Sequence, residues 1–257
     1  MQTKTFCIAM NSIIGTREEQ QDCAFFSANQ QEAMAIVCDG MGGLSSGKQT
    51  STFVLEKFKE LYLNRATKNV SEFLLQSVDV LDELAYNQRD ISGERINSGT
   101  TLVSVIIEEN KVHWLSVGDS RLYILRGKEF LQITQDHNYF NKFKNVQNRD
   151  DIAEQQNAIG KFNDEALTSF IGIGGIEAMN LNQKPFILMP QDTLLLATDG
   201  LYKSLSKEEI SRCLQTSTSK CSVINIFETI KDKQLRFQDN TTCVVIKYQT
   251  GVQNENN

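Results

Sequence analysis

Four aspartates stand where apolar runs meet turn-forming residues. Asp39 follows Ala35-Ile36-Val37-Cys38, Asp119 lies between Gly118 and Ser120, Asp199 follows Leu194–Thr198, and Asp239 precedes Asn240-Thr241. Strand ends in a stacked sheet converge at one edge. Carboxylates brought together there repel one another unless hard cations neutralise them, so a metal centre is one reading of the set. The other is that each aspartate fills an ordinary turn position. In Asp39-Gly40-Met41-Gly42-Gly43 the glycines permit positive φ and close approach of a ligand to the backbone, so a tight turn is expected there.

A phosphate-binding loop is the sharpest competitor. Gly42-Gly43-Leu44-Ser45-Ser46-Gly47-Lys48 fits GxxxxGK between a strand and a helix, and Leu194–Asp199 could imitate its partner strand. Gln49 then stands where a hydroxyl for Mg²⁺ is needed. Such an enzyme also requires parallel strands with helical crossovers, whereas this chain is full of hairpin-length connections. His113, next to Trp114, reads as structural, and His137 as a loop hydrogen-bonder or a site residue. Ser45 and Ser46 lack the GxSxG elbow of a nucleophile. The six cysteines have neither CxxC pairs nor zinc-ligand spacing with the histidines and read as core thiols.

The elements that must position these residues are mostly strands. Thr5–Met10, Cys23–Ala28 and Met34–Cys38 are joined too closely for helical crossovers and are expected to pair antiparallel. Two amphipathic helices follow, one from Ser46, capped in a box with Gln49, to Asn64, the other carrying Phe73, Leu74, Val78, Leu81 and Leu84. Thr100–Ile107, Val112–Val117, Arg121–Leu125 and Glu129–Ile133 read as a meander of hairpins. Lys184–Leu188 and Thr193–Thr198 add two strands, Ser206 with Glu209 caps a helix, and Val223, Phe227 and Ile230 mark another. Thr241–Tyr248 is the last strand. The expected fold is α+β: a four-layer αββα sandwich of two stacked, mainly antiparallel sheets flanked by helices.

At 257 residues, 40% hydrophobic and 23% charged, the chain suits one globular domain over residues 1–248. Residues 134–165 are a polar, flap-like excursion, and 249–257 a disordered tail. A formal net charge of −6 opposes nucleic-acid binding. Without a membrane span or secretory leader, a cytoplasmic location follows by default, and a monomer is expected.

The ordered set Arg17…Asp22, Asp39-Gly40-Met41-Gly42-Gly43, Ser98-Gly99-Thr100-Thr101, Val117-Gly118-Asp119-Ser120-Arg121, Asp199-Gly200 and Asp239-Asn240-Thr241-Thr242 resembles the protein phosphatase 2C family, in its bacterial branch. The resemblance spans about Thr5 to Tyr248. It implies hydrolysis of phosphoserine and phosphothreonine on proteins, with two Mn²⁺ or Mg²⁺ ions bridged by Asp39. Asp199 and Asp239 would complete the first ion's shell, the Gly40 carbonyl would bind the second, and Asp22 would act through water. Asp119 would help hold a third, weaker ion, and Arg17 would clamp the phosphate. A hydroxide formed between the ions would attack phosphorus in line, and the partners would be phosphoprotein substrates, such as those of a serine/threonine kinase.

Three departures from the family pattern stand out. Gln20-Gln21-Asp22 replaces a common Asn-Glu-Asp, removing one charge near the second ion. Met41 stands where eukaryotic members carry a histidine, and methionine cannot donate a proton. Lys203 brings a positive charge beside the third ion's place. Gln21 and Lys203 together motivate an alternative of a different class, a catalytically weak or silent phosphoprotein-binding module on the same fold.

Overall fold

A computed structural model describes residues 3–43, 46–144 and 165–251. The strands are β1 (Thr3–Ile13), β2 (Asp22–Ala28), β3 (Glu32–Gly42), β4 (Ser98–Thr100), β5 (Leu102–Glu108), β6 (Lys111–Val117), β7 (Arg121–Arg126), β8 (Glu129–Gln132), β9 (Asn180–Leu181), β10 (Phe186–Ile187), β11 (Thr193–Ala197) and β12 (Thr241–Gly251). The helices are α1 (Ser46–Leu63), α2 (Val70–Tyr86), α3 (Tyr139–Lys144), α4 (Asp199–Tyr202), α5 (Lys207–Leu214) and α6 (Ser219–Asp232).

Period-two alternation along β3 sets the layering. Met34, Ile36 and Cys38 pack with Val54, Phe58, Leu74 and Leu81 of α1 and α2. Ala33, Ala35 and Val37 face the other way, into a core shared with Leu194, Leu196, Val244 and Ile246. The opposite faces of β11 and β12 present Leu195, Ala197, Cys243 and Val245 to Ile210, Leu214, Ile226 and Ile230 of α5 and α6. The result is the expected αββα stack. One sheet runs β1-β12-β11-β7-β8, the other β10-β6-β5-β3-β2, with β4 added to β3 and β9 to β6. Each buried large apolar side chain contributes roughly 1.5–3 kcal/mol, so the three cores supply most of the stabilisation.

Every strand pairing among the described residues is antiparallel, which removes the parallel sheet that a phosphate-binding loop enzyme needs. Leu44 and Ser45 of that motif lie outside the described residues.

Several local expectations are corrected. β1 pairs with β12 instead of β2, because the loop 14–21 carries the chain from one sheet to the other. The meander breaks at Gly118-Asp119-Ser120: β6 belongs to one sheet and β7 to the other, so this segment is a crossover and not a hairpin turn. Asp39-Gly40 is no turn either, since β3 continues through it and exchanges β5 for β4 as partner at Gly40↔Thr100. Asp199-Gly200 opens α4. At the chain's end β12 runs past Tyr248, and Gln249–Gly251 register against Thr3–Thr5.

Helix starts follow the caps. Ser206 and Glu209 form the expected box. Ser46 is itself the first residue of α1 and donates its hydroxyl to the Gly43 carbonyl, so it does not cap with Gln49. Residues 145–164 of the expected excursion and 252–257 of the expected tail lie outside the described residues.

Candidate metal centre

The alternation that builds the core also aims the carboxylates. Asp39 has the parity of Ala33, Ala35 and Val37, and Asp22 that of Ala24 and Phe26, so both point between the sheets at their edge. The two are register partners. The Gly40 N–H donates to the Gln21 carbonyl at 3.1 Å, which makes Asp22↔Asp39 a non-hydrogen-bonded pair, the kind that brings side chains closest. Their own N–H groups turn elsewhere: that of Asp39 donates to Thr101 Oγ1 at 3.0 Å, and that of Asp22 to Gln20 Oε1 at 3.1 Å.

Neighbouring strands supply the rest. Thr198, just after β11, donates its hydroxyl to Asp22 Oδ2 at 2.8 Å, while Asp22 Oδ1 is buried with no hydrogen-bond partner. Asp199 follows in the first turn of α4. Asp239 precedes β12, and its neighbour Asn240 ties the region together by accepting from the Gln21 N–H and donating to the Ile14 carbonyl. Asp119 is placed by the sheet crossover. Gly118 takes φ +97 there, where a Cβ would strike Thr101, and its N–H donates to His137 Nδ1 at 3.0 Å. The Tyr202 hydroxyl donates to the Asp119 carbonyl at 3.0 Å. Arg121 stacks on the Tyr202 ring and pairs with Asp136 through two nitrogens.

Burial and mutual repulsion act together on these groups. Burial, with Asp199 adding to it, pushes the Asp22 carboxyl up to about 7 even though Thr198 and Thr242 stabilise its charge. Asp119 is likewise pushed up to about 7 by burial, then by Asp199 and Asp136. Asp39 is raised well above its ordinary value by burial and by Asp22, Asp199, Asp119 and Asp239 in that order. A carboxylate surrounded by four others is the electrostatic signature of a site built for cations. Its oxygen donors, together with the orphaned Asp22 oxygen, suit a hard divalent ion such as Mn²⁺ or Mg²⁺.

Two side-chain cations stand among these acids. Arg17 donates from Nε and a terminal nitrogen to the two oxygens of Asp239, each at 2.7 Å. Lys203 Nζ lies 2.9 Å from both Asp199 and Glu165. Among the described residues no three His, Cys, Asp or Glu side chains close on a single point. Each of the two cations holds oxygen of one acid of the set, Arg17 that of Asp239 and Lys203 that of Asp199.

Arg17, Asp39, Gly40, Asp119, Asp199 and Asp239 all line one open cavity of about 990 Å³. Asp22 lies behind the wall, only 6% exposed. Gly40 is required by crowding and not by positive φ, because a Cβ would come within 2.3 Å of the Gly47 carbonyl oxygen and 2.7 Å of that of Gln21. Met41 also lines the cavity. His137 resolves as the loop hydrogen-bonder, and His113 as a structural partner of Ser71. All six cysteines are free.

A shell of hydroxyls lies behind the acids. Thr101, Ser120 and Thr198 carry the hydroxyls that hold Asp39 and Asp22, with Thr101 and Ser120 bonded to each other at 2.7 Å. Strand parity would have found Thr101, which continues the inward row of Val103, Val105 and Ile107. Glu18, Glu19 and Glu165 also face the cavity, and no local pattern marks them.

Residues 7–142 match the family described as Protein phosphatase 2C. A serine/threonine phosphatase of Listeria innocua is 25% identical over 230 residues, covering 86% of this chain and 87% of its own. Among solved structures, the S. agalactiae serine/threonine phosphatase superposes with a TM-score of 0.78 at 23% identity, covering 95% of this chain and 99% of the other. The catalytic domain of the serine/threonine phosphatase PstP, in complex with two manganese ions, gives 0.75 at 23% identity, covering 96% and 100%.

Proposed function

The chain belongs to the protein phosphatase 2C family, and from that premise we propose that it removes phosphate from phosphoserine and phosphothreonine of proteins in a divalent-metal-dependent hydrolysis. The observation that carries this reading is Asp39, buried between two sheets with four other carboxylates raising its affinity for protons, and so for cations.

Asp39, Asp199 and Asp239 with the Gly40 carbonyl would hold two ions, and Asp22 would support them from behind the wall. When bound, Mn²⁺ or Mg²⁺ lowers the pKa of water and neutralises charge on phosphoryl oxygens. The protein's own residues do the rest. Arg17, 62% exposed at the cavity mouth, offers a guanidinium fork that matches a phosphate's oxygens. Thr101 and Thr198 fix the strand ends that carry Asp39 and Asp22, through the Asp39 N–H and an Asp22 carboxylate oxygen. Met41 brings no proton donor, so the leaving oxygen takes its proton from water in the open cavity.

Asp119 and Asp199 would contribute to a third, weaker ion only in competition with the Lys203 ammonium. The substrates are read as phosphoproteins of a serine/threonine kinase, met by a cytoplasmic monomer with one phosphatase domain over residues 1–248. Among the described residues no helix is long and apolar enough to cross a membrane. The test is release of phosphate from a phosphothreonine peptide with Mn²⁺ and with excess chelator. Loss of turnover in chelator is expected, and full turnover there ends the metal mechanism.

A further inference from the structure

Cys23 and Cys38 stand directly opposite each other in the β2·β3 ladder, one step along both strands from Asp22 and Asp39. Alternation turns the aspartates between the sheets and the two cysteines toward α1, where Cys38 is fully buried and Cys23 partly exposed. Because the 22↔39 pair is non-hydrogen-bonded, the 23↔38 pair is a hydrogen-bonded one, with Cα atoms roughly 5.5 Å apart, inside the range of about 4.4–6.8 Å that a disulfide spans. The strand cysteines Cys7 and Cys243 face Lys247 and Asn11 across the β1·β12 ladder instead.

We propose that Cys23 and Cys38 form an oxidisable dithiol whose closure to a disulfide weakens cation binding at the adjacent carboxylates. The second half of this rests on the assignment of Asp22 and Asp39 to the metal centre. Hydrogen peroxide is the oxidant considered. The Cys23 sulfur, which solvent reaches first, attacks one peroxide oxygen. The O–O bond breaks, the sulfur keeps one hydroxyl, and its proton leaves with the other as water. The Cys38 sulfur then attacks the Cys23 sulfur, the S–O bond breaks, and the Cys38 proton departs with that hydroxyl as a second water. Two electrons pass from the sulfurs to the peroxide.

The coupling follows from distances. Directly opposite Cβ atoms in a ladder lie about 4.5–5.5 Å apart, whereas a disulfide holds them near 3.8 Å, so closure draws the strands together by about 1 Å at this step. Metal ligand distances tolerate only about 0.2 Å. Asp22 and Asp39 are the next residues on the same two strands, and the Asp39 N–H and carbonyl are anchored to Thr101, so the change falls on the carboxylate spacing.

The experiment treats the full chain with hydrogen peroxide, maps crosslinks by mass spectrometry without reduction, and measures Mn²⁺ affinity from the electron paramagnetic resonance of the free ion. A Cys23–Cys38 crosslink is expected, with Mn²⁺ bound about tenfold or more weakly, the scale of a disturbed ligand shell, and recovery in dithiothreitol. Cys23→Ser should keep its Mn²⁺ affinity under the same treatment. Absence of the crosslink overturns the dithiol, and a crosslink with unchanged Mn²⁺ affinity overturns the coupling. Failure of the reduced protein to bind Mn²⁺ at all overturns the metal assignment and the coupling with it, and the crosslink map distinguishes that failure from the first.

Discussion

Arg17 grips both oxygens of Asp239, each at 2.7 Å, so the residue assigned to the substrate's phosphate is anchored on a residue assigned to the metal. The pair is largely exposed, and such pairs contribute at most about 1 kcal/mol to stability. Its importance is therefore orientation. Arg17→Ala is expected to raise KM for a phosphothreonine peptide by about tenfold or more, the loss of a charge-assisted contact worth roughly 1.5–3 kcal/mol. Mn²⁺ affinity should be kept or improved, since Asp239 loses a competitor. Steady-state kinetics beside calorimetric Mn²⁺ titration check both halves.

Asp39→Asn separates function from stability. Turnover should fall by about a thousandfold or more, because the carboxylate proposed to hold the catalytic ions loses its charge. The metal-free variant should nevertheless melt at a higher temperature than the metal-free parent, because the repulsion from Asp22, Asp199, Asp119 and Asp239 disappears. A lower melting temperature in chelator would contradict the electrostatic account.

The same repulsion gives the metal-free protein a pH dependence. Burial pushes Asp22 and Asp119 up to about 7 in the folded state against 3.8 ordinarily, so the native form holds protons that the unfolded chain has released. Their contribution is intact below the unfolded value and is lost as pH rises through the folded one. In chelator, stability should decline between about pH 4 and pH 7, on the order of a few kcal/mol, and level off above. Saturating Mn²⁺ should flatten or reverse the slope. Thermal melts across pH with and without the ion decide it.

Lys203 neutralises part of the field that a further ion would use. Lys203→Met leaves Asp199 and Glu165 without this cation and removes the charge that lowers Asp119. A weak class of Mn²⁺ sites should tighten by about tenfold. Equilibrium dialysis showing the same stoichiometry and affinity as the parent would remove Lys203 from the site's electrostatics.

Gly40→Ala tests the backbone itself. Its Cβ would meet the carbonyl oxygens of Gly47 and Gln21, and neither can swing aside as a side chain could. Separation of β3 from the start of α1 is expected, at a cost of about 1–3 kcal/mol typical of overpacking, with loss of turnover. Denaturant unfolding measures the first and a phosphopeptide assay the second.

The sequence by itself determined the layer architecture, because the apolar run Ala35–Cys38 and the helical spacing in Val54, Phe58, Leu74 and Leu81 are local patterns. It also determined the acids: Asp39, Asp119, Asp199 and Asp239 could be picked out from their neighbours alone. What it could not determine was which strand pairs with which. Hairpin-length connections suggested that β1 joins β2 and β6 joins β7, yet both links cross between sheets. Pairing is a contest among distant segments, won here by β12 for β1 and by β11 for β7, through eleven-residue and five-residue registers. Those two crossings bring Arg17 to Asp239 and Asp119 to the edge where Asp39 emerges. The tertiary structure also altered the meaning of Asp39-Gly40, which reads locally as a turn. It continues β3 because Thr100 and Thr101 satisfy the backbone that a turn would have closed on itself, and that continuation holds the carboxylate between the sheets.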